Sequence, residues 1–505
     1  MSRFNYIIRL LLILLPLGVT NAQIQKWNVG LSTNRTLITA KGISGNKESA
    51  PTVIYVAGLN GDSESSDSVL NLFNAYSRIQ LEDRPVKLIV IPEANPESEI
   101  LKFPPEGKAY KDAPVSFSLW RWIGVHAPDL VVIVGDDKSQ LFKSLQNEPV
   151  AGIGLIPVKH FPNTTASLDF LMQQANLKSS KASMEIEKRL KRSPNEFAIQ
   201  LTKYYGHDFS TPAYIPGMAL IGRMRLGELE DVNKIAKTYI SGPPIEITSA
   251  SIIAGHLVFA ELAERSGNSD YLELALRAAN LGFDELGNMR EAMPLHTQMS
   301  DAVFMATPLL SKVGKLTGDD RYFNLAIRHV DYIQKLLLRD SGLYRHSQWA
   351  DVAWCRGNGF PALGLALSLT DIPESHPEFN QILVKFQDHI ENLLPYQDVD
   401  GFWHQVIDYP GSFAEITSTA MIATAIKRGI DQHWLDSETY QPVVDKAWNA
   451  ILINSSFEGE FINVCEGTGK QSSMDAYLDR KAISGPDMRA GGLLLYFANE
   501  MAGNH

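Results

Sequence analysis

Gly318-Asp319-Asp320-Arg321-Tyr322 stands between two apolar-periodic runs, Asp301–Leu316 and Asp320–Leu338, and Gly267-Asn268-Ser269-Asp270-Tyr271 stands in the same way between Ser249–Ser266 and Tyr271–Phe283. A glycine just past the last periodic residue ends a helix, and Asp or Asn beside it caps the next one. The same joint used twice is the mark of a repeated helical hairpin. Working outward, helical periodicity recurs over Asn195–Tyr204, Gly217–Leu226 and Leu229–Ile240 on one side. On the other it recurs over Pro361–Thr370, Gln381–Leu394, Ser412–Gly429, Pro442–Leu452 and Ala490–Met501. Loops with Gly, Pro and Asp join these runs. Paired helices in such number, without strands, predict a closed α/α toroid over 195–505, with a ligand cleft among the loops at one end. An open helical-repeat solenoid is the alternative.

The first third of the chain has a different rhythm. Thr52–Ala57, Val86–Ile91 and Leu130–Val134 are short apolar runs rich in β-branched residues, and Val150–Val158 is a possible fourth. Polar helical stretches separate them, as in an α/β sheet with buried strands. The expectation is therefore a two-domain protein: an α/β domain over 23–177, a charged linker over 178–194, then the all-α domain. Ahead of both, Arg3 and Arg9 precede the apolar run Leu10–Leu17, and Thr20-Asn21-Ala22 offers a cleavage site. That is the pattern of an export signal over 1–22, so a periplasmic or extracellular protein is expected.

Composition is that of an ordinary globular protein, 45% hydrophobic and 20% charged, with a net charge of −11. No basic patch is evident, which argues against nucleic acid or an anionic membrane as partner. Cys355 and Cys465 are the only cysteines. An exported protein is free to join them as one disulfide, and their polar, Gly-rich settings suit a shared cleft. No Cys/His spacing suggests a zinc finger.

The chemistry concentrates in Trp354-Cys355-Arg356-Gly357-Asn358-Gly359-Phe360 and Asp400-Gly401-Phe402-Trp403-His404-Gln405. Glycine admits close approach of backbone and ligand. Tryptophan offers a flat apolar face with one polar handle, and arginine a fork that suits a carboxylate. These are tools for holding a sugar ring that bears an acid group. Further polar outliers are His296, Asp301 ahead of a Phe-Met helix, Gly342-Leu343-Tyr344-Arg345-His346, Glu415-Ile416-Thr417-Ser418-Thr419, and Cys465-Glu466-Gly467-Thr468-Gly469.

In this order the segments resemble the unsaturated uronyl hydrolases, especially the unsaturated rhamnogalacturonyl hydrolases, of glycoside hydrolase families 105 and 88. The resemblance covers about Asp301 to Glu500 and, more loosely, the helices from Asn195. It implies an (α/α)6 barrel acting on an oligosaccharide whose non-reducing end is a 4,5-unsaturated uronic acid. Such a substrate carries a vinyl ether. Protonation at C4 places cationic character on C5 and the ring oxygen, water adds at C5, and the hemiketal opens with loss of the glycosidic bond. Ordinary glycoside hydrolysis instead sets two carboxylates astride that bond. The group that donates the proton has to be held protonated by burial or by a second acid.

By resemblance Asp301 is the catalytic acid. His296 and His346 contact the sugar, Trp354 walls it, Arg356 pairs with the uronate carboxylate, Phe360 stands where relatives usually have Trp, and Trp403 with His404 matches a further Trp-His pair. No metal or organic cofactor is implied. One departure stands out. The helix expected to bear a second acid reads Ser249-Ala250-Ser251-Ile252-Ile253-Ala254-Gly255, with Glu246 only nearby. A catalytically inactive, carbohydrate-binding barrel is thus the competing reading. A different α/α-toroid enzyme, an epimerase or a lyase, lacks any clear pattern in its favour.

The α/β domain resembles the zinc carboxypeptidases and related deacylases in strand order and in the turn Asn95-Pro96. Asn60 and Ser63 stand where that family has His and Glu, and Gly135 or Asp136 stands near its second His. Without those ligands a catalytic zinc is not expected, and the domain reads as a degenerate, non-catalytic relative.

Overall fold

The computed structural model describes residues 24–163 and 165–504; the expected export signal over 1–22 lies outside the described residues. The first domain runs β1 (Gln25–Leu31), β2 (Leu37–Ile43), β3 (Thr52–Val56), α1 (Ser63–Ser77), β4 (Lys87–Ile91), α2 (Pro114–His126), β5 (Leu130–Val134), α3 (Leu141–Asn147), β6 (Val158–Phe161), α4 (Leu168–Met172) and α5 (Lys181–Leu190). The sheet has the order β1-β2-β4-β3-β5-β6. Strands β4, β3, β5 and β6 are parallel, and β1–β2 form an antiparallel hairpin added at one edge. The parallel strands at the centre are buried on both faces, which is why they read as unbroken apolar runs.

Two expectations change here. The possible strand over Val150–Val158 is instead a turn in which Val150 bridges Gly154, and β6 begins only at Val158. The segment Pro149–Pro157 carries prolines at both ends and two glycines, which break a ladder. The segment 178–194 is not a free linker. Ser180 caps α5 by accepting from the Ser183 N–H, and Ala182, Ile186 and Arg189 turn inward while the charged residues face outward. Beyond it, Arg192 donates to the carbonyls of Leu452 and Ser455 at 2.8 and 2.7 Å.

The second domain alternates outer and inner helices. They are α6 (Pro194–Thr202, outer), α7 (Tyr214–Arg225, inner), α8 (Leu229–Ala236) with the short α9 (Thr238–Ser241), both outer, then α10 (Ala250–Gly255) and α11 (Leu257–Ser266), which share one inner position. The series continues with α12 (Ser269–Ala279, outer), α13 (Ala302–Thr317, inner), α14 (Asp320–Leu337, outer), α15 (Arg356–Asp371, inner), α16 (Phe379–Leu393, outer), α17 (Ile416–Asp431, inner) and α18 (Ser437–Ile453, outer). The hairpin β7 (Phe461–Cys465) and β8 (Ala482–Gly485), with α19 (Met474–Leu478) between its strands, precedes the last inner helix, α20 (Met488–Ala502).

Each inner element touches the next, from α7 through α10–α11, α13, α15 and α17 to α20, and α20 closes back on α7. Every inner element also packs on an outer helix. The described helices thus form two concentric rings. Position dictates sequence: α13, α15 and α17 are buried almost all round, whereas α14 and α16 bury one stripe, as expected for inner and outer layers.

The joints behave as the sequence indicated. Gly267 and Gly318 each close a helix with a left-handed φ of 69°. Asn268 and Asp319 each cap the following one. The tyrosine of each joint reaches back to an asparagine, Tyr271 to Asn233 at 2.5 Å and Tyr322 to Asn280 at 2.7 Å.

The α/β domain is seated on the loops of the helical domain. Leu31 and Phe117 share a core cluster with Val406, Phe413 and Tyr477. Polar clasps surround it: Arg121 to Asn463 at 2.6 Å, Arg35 to Asp479 at 2.7 Å and Trp27 to Asp400 at 3.0 Å.

Candidate active site

Since an outer helix returns the chain after each inner one, the inner helices run in the same direction and their N-termini meet at one mouth. The residues that open them are chemically unlike their neighbours: Tyr214 on α7, Asp301 at the cap of α13, Arg356 on α15, Glu415 at the cap of α17, and Asp487 with Arg489 at the start of α20. Converging N-termini put partial positive charge at this mouth, which favours an anionic ligand.

Asp301 is 9% exposed. Its Oδ1 lies 3.3 Å from Nε2 of His346, and neither atom has a hydrogen-bond partner in the protein. The other ring nitrogen of His346, Nδ1, is 2.7 Å from the Tyr477 hydroxyl. The His346 ring leans on Trp354 at 4.4 Å between centroids, and the Arg356 guanidinium covers the Trp354 ring at 4.7 Å. Asp301, His346, Trp354 and Arg356 are therefore brought together.

The glycines and asparagine between them serve this assembly. A Cβ on Gly357 would lie 2.8 Å from the Ser300 hydroxyl and 3.3 Å from the His346 ring, so α15 approaches this closely only with glycine there. Asn358 accepts from the Tyr344 N–H and donates to the carbonyls of Tyr344 and Trp354. Helix α15 starts at Arg356 and carries Pro361 inside it, five residues earlier than the periodicity from Pro361 suggested.

Other expected site residues are placed differently. Arg356 is 2% exposed and donates to the carbonyls of Cys465 and Glu466, both at 2.9 Å; its fork is largely committed to backbone. Phe360 is buried against Phe304 and Tyr214 and makes a floor beneath the mouth. His296 sits at the rim, half-buried against Tyr332 at 5.1 Å. Trp403 is wholly buried and donates its indole N–H to Leu393 at 2.8 Å, leaving no face or handle for a sugar. The adjacent His404 side chain, alternating along the chain, pairs with Asp398 at 2.8 Å and lines a separate space between the two domains. The Trp403-His404 pair thus does not join Asp301, because one member is core and the other faces the α/β domain.

Tyr214 and Arg489 were missed. Burial pushes the Tyr214 phenol up, with Arg356, Asp301, Arg489 and Asp487 around it. Arg489 is held by Asp487 at 2.8 Å and its side chain is 17% exposed, so this cation is more open at the mouth than Arg356. The signal for both was their place at the first turn of an inner helix, visible once the ring is closed. No acid stands at the start of α10; Glu246 is exposed before it. Glu415 is fully buried and accepts from Thr417, Ser418 and the Cys465 N–H, a structural cap. Cys355 and Cys465 are both free and buried, so the disulfide left open by the sequence is not formed. Burial pushes both thiols up.

The sequence profile of Glycosyl Hydrolase Family 88 matches residues 232–503, more than half of the chain and all of the mouth except Tyr214. The chain belongs to glycosyl hydrolase family 88. Over 279 residues this family 88 protein is 27% identical to the unsaturated rhamnogalacturonyl hydrolase YesR of Bacillus subtilis, covering 50% of this chain and 77% of that one. It is 26% identical over 214 residues to an unsaturated 3S-rhamnoglycuronyl hydrolase of an Alteromonas species, covering 40% of this chain and 50% of that protein. Among solved structures, a possible member of GH105 from Klebsiella pneumoniae superimposes with a TM-score of 0.52 at 20% identity, over 64% of this chain and 94% of that one. A counterpart from Salmonella enterica gives the same TM-score and identity. These two likenesses concern the fold alone.

In the α/β domain, the ends of β3, β4 and β5 come together. Asn60 donates to the Asp136 carbonyl at 2.7 Å, and Asn95 donates to the Leu59 carbonyl at 2.8 Å. Among the described residues no cluster of His, Cys, Asp and Glu stands ready to hold a metal ion.

Proposed function

We propose that this family 88 protein releases 4,5-unsaturated uronic acid from the non-reducing end of oligosaccharides left by polysaccharide lyases, working in an (α/α)6 barrel after export. The observation that carries this reading is the Asp301–His346 pair at 3.3 Å in the mouth of the inner ring, inside the family-matched segment. Asp301 gives its proton to C4 of the unsaturated ring. His346, anchored by Tyr477, fixes the carboxyl group's direction and takes part in handling the water that adds at C5. Trp354 walls the pocket, Phe360 floors it, and His296 contacts sugar at the rim. The uronate carboxylate sits in the positive field of the helix N-termini, with Arg356 behind it and Arg489 at the opening. Nothing in the hydration requires a metal or organic cofactor.

The relatives named for rhamnogalacturonyl and 3S-rhamnoglycuronyl substrates make rhamnose-linked unsaturated uronides the first to try. Loss of the ultraviolet absorbance of the C4=C5 bond on such a disaccharide, absent with Asp301→Asn, is the expected result. The α/β domain is read as a non-catalytic relative of the metallocarboxypeptidases that braces the barrel loops. The acid-free start of α10 favours a second reading, an inactive barrel that binds sugar without turning it over; the same assay separates the two, since binding alone leaves the absorbance intact.

A further inference from the structure

The motif Asp400–Gln405 has sugar-holding chemistry but faces away from Asp301. It opens instead onto a cavity of about 440 Å³ between the two domains, a size typical of small-molecule sites. No residue of the Asp301 mouth lines it. Its apolar walls come from both domains. Trp27 and Trp122 meet edge to face at 6.0 Å, and Phe402 and Phe413 stand across from them.

The polar groups are arranged as acceptors and neutral donors. Asp400 accepts from the Trp27 indole at 3.0 Å and lies 3.3 Å from His126. Asp398 is matched by His404 at 2.8 Å. The Ser118 hydroxyl is 1% exposed and lines the cavity with no partner, and His126 Nε2 also lacks a hydrogen bond. Arg121 is committed to Asn463 and to the Ala482 carbonyl, so no free guanidinium fork awaits an anion. Flat aromatic faces beside carboxylates, a hydroxyl and amides recognise the C–H faces and hydroxyls of an uncharged sugar.

We propose that this interdomain cavity is a second carbohydrate site, which takes a neutral mono- or disaccharide unit. It stands whether or not Asp301 is catalytic. The cavity opens past Asn28 of the first domain and Val399 of the second, both exposed. The test titrates the full chain with methyl glycosides of rhamnose, galactose, glucose and xylose, following tryptophan emission and heat. At least one should bind saturably with one equivalent. Asn28→Trp and Val399→Trp, which block the opening from either side, should each weaken it at least about tenfold with unchanged melting temperature, while Asp301→Asn should bind as the wild type does. Absence of saturable binding by every glycoside overturns the proposal. So does binding that both tryptophan variants leave intact, which would put the sugar elsewhere.

Discussion

Nε2 of His346 and Oδ1 of Asp301 face each other at 3.3 Å, buried and otherwise unpartnered. A buried polar pair held slightly long and without other partners is a pair waiting for a third group, here a water or a sugar hydroxyl between or beside them. Its partner Tyr477 comes from the hairpin that also receives the α/β domain, so the orientation of His346 depends on the seating of that domain.

From this pair follows the behaviour of His346→Gln. Glutamine keeps a polar group near Asp301 but loses the ring's simultaneous reach to Tyr477. We expect a loss of about 1.5–3 kcal/mol of transition-state stabilisation, or roughly ten- to hundredfold in kcat, with KM little changed and the fold intact. Steady-state kinetics beside a thermal melt checks this; a fall in melting temperature with unchanged kcat would make His346 purely structural.

At the far end of the ring, Lys312 lies buried 3.4 Å from Glu261, 2.8 Å from Glu264 and 3.1 Å from Asp371. Burial opposes its charge, but the acids outweigh it and hold the amine up. Lys312→Met strands buried carboxylates and should cost about 3–5 kcal/mol in denaturant unfolding. Burial would raise Glu264, but hydrogen bonds and charge from Lys312 and Lys315 outweigh it and draw it down to about 2. A depressed folded value means its contribution is present above the unfolded value and lost as pH falls through the folded one. Wild type should therefore lose stability in strong acid more steeply than Lys312→Met.

The two cysteines give a chemical readout. Burial, then the nearby Glu415, keeps the Cys355 thiol well up, and a thiol reagent needs thiolate and access. Native protein should therefore react slowly, two thiols should appear on unfolding, and reductant should leave the melting temperature unchanged. Absence of free thiols after unfolding without reductant would show a disulfide instead.

His404 predicts a pH effect at the domain junction. Burial lowers its pKa, but the hydrogen bond and charge of Asp398 outweigh that and raise it. A raised folded value gives stability that is present below the unfolded value and is lost as pH rises through the folded one. The melting-temperature advantage of wild type over His404→Gln should be largest near about pH 5–6 and shrink toward about pH 8. An advantage that grows with pH would contradict the Asp398 pairing.

Much of the fold was legible because it rests on local signals. The joints at Gly267 and Gly318 fix helix ends through one left-handed residue and one capping side chain each, and both are readable in five residues. The β1–β2 hairpin was not, since an edge with one exposed face mixes polar and apolar residues too weakly to stand out. Nor was the start of α15: Pro361 reads as a helix start, yet helical structure begins at Arg356 and accommodates the proline. At the site, the stretch Trp354 to Phe360 named its neighbourhood correctly, but local sequence cannot tell which side chain faces the mouth. Trp403 and His404 separate for that reason, one packing under α16 and the other meeting the first domain. Tyr214 and Arg489 become visible only when distant helices close into a ring.

The central claim rests on Asp301. The direct measurement follows ultraviolet absorbance of rhamnose-linked unsaturated uronides, and of glycosaminoglycan- and ulvan-derived ones, with wild type and Asp301→Asn. The account predicts loss of absorbance with wild type on at least one substrate, slowed by about a hundred- to ten-thousandfold in Asp301→Asn at equal melting temperature. A variant as fast as wild type, or folded wild type that leaves every substrate's absorbance unchanged, would contradict it.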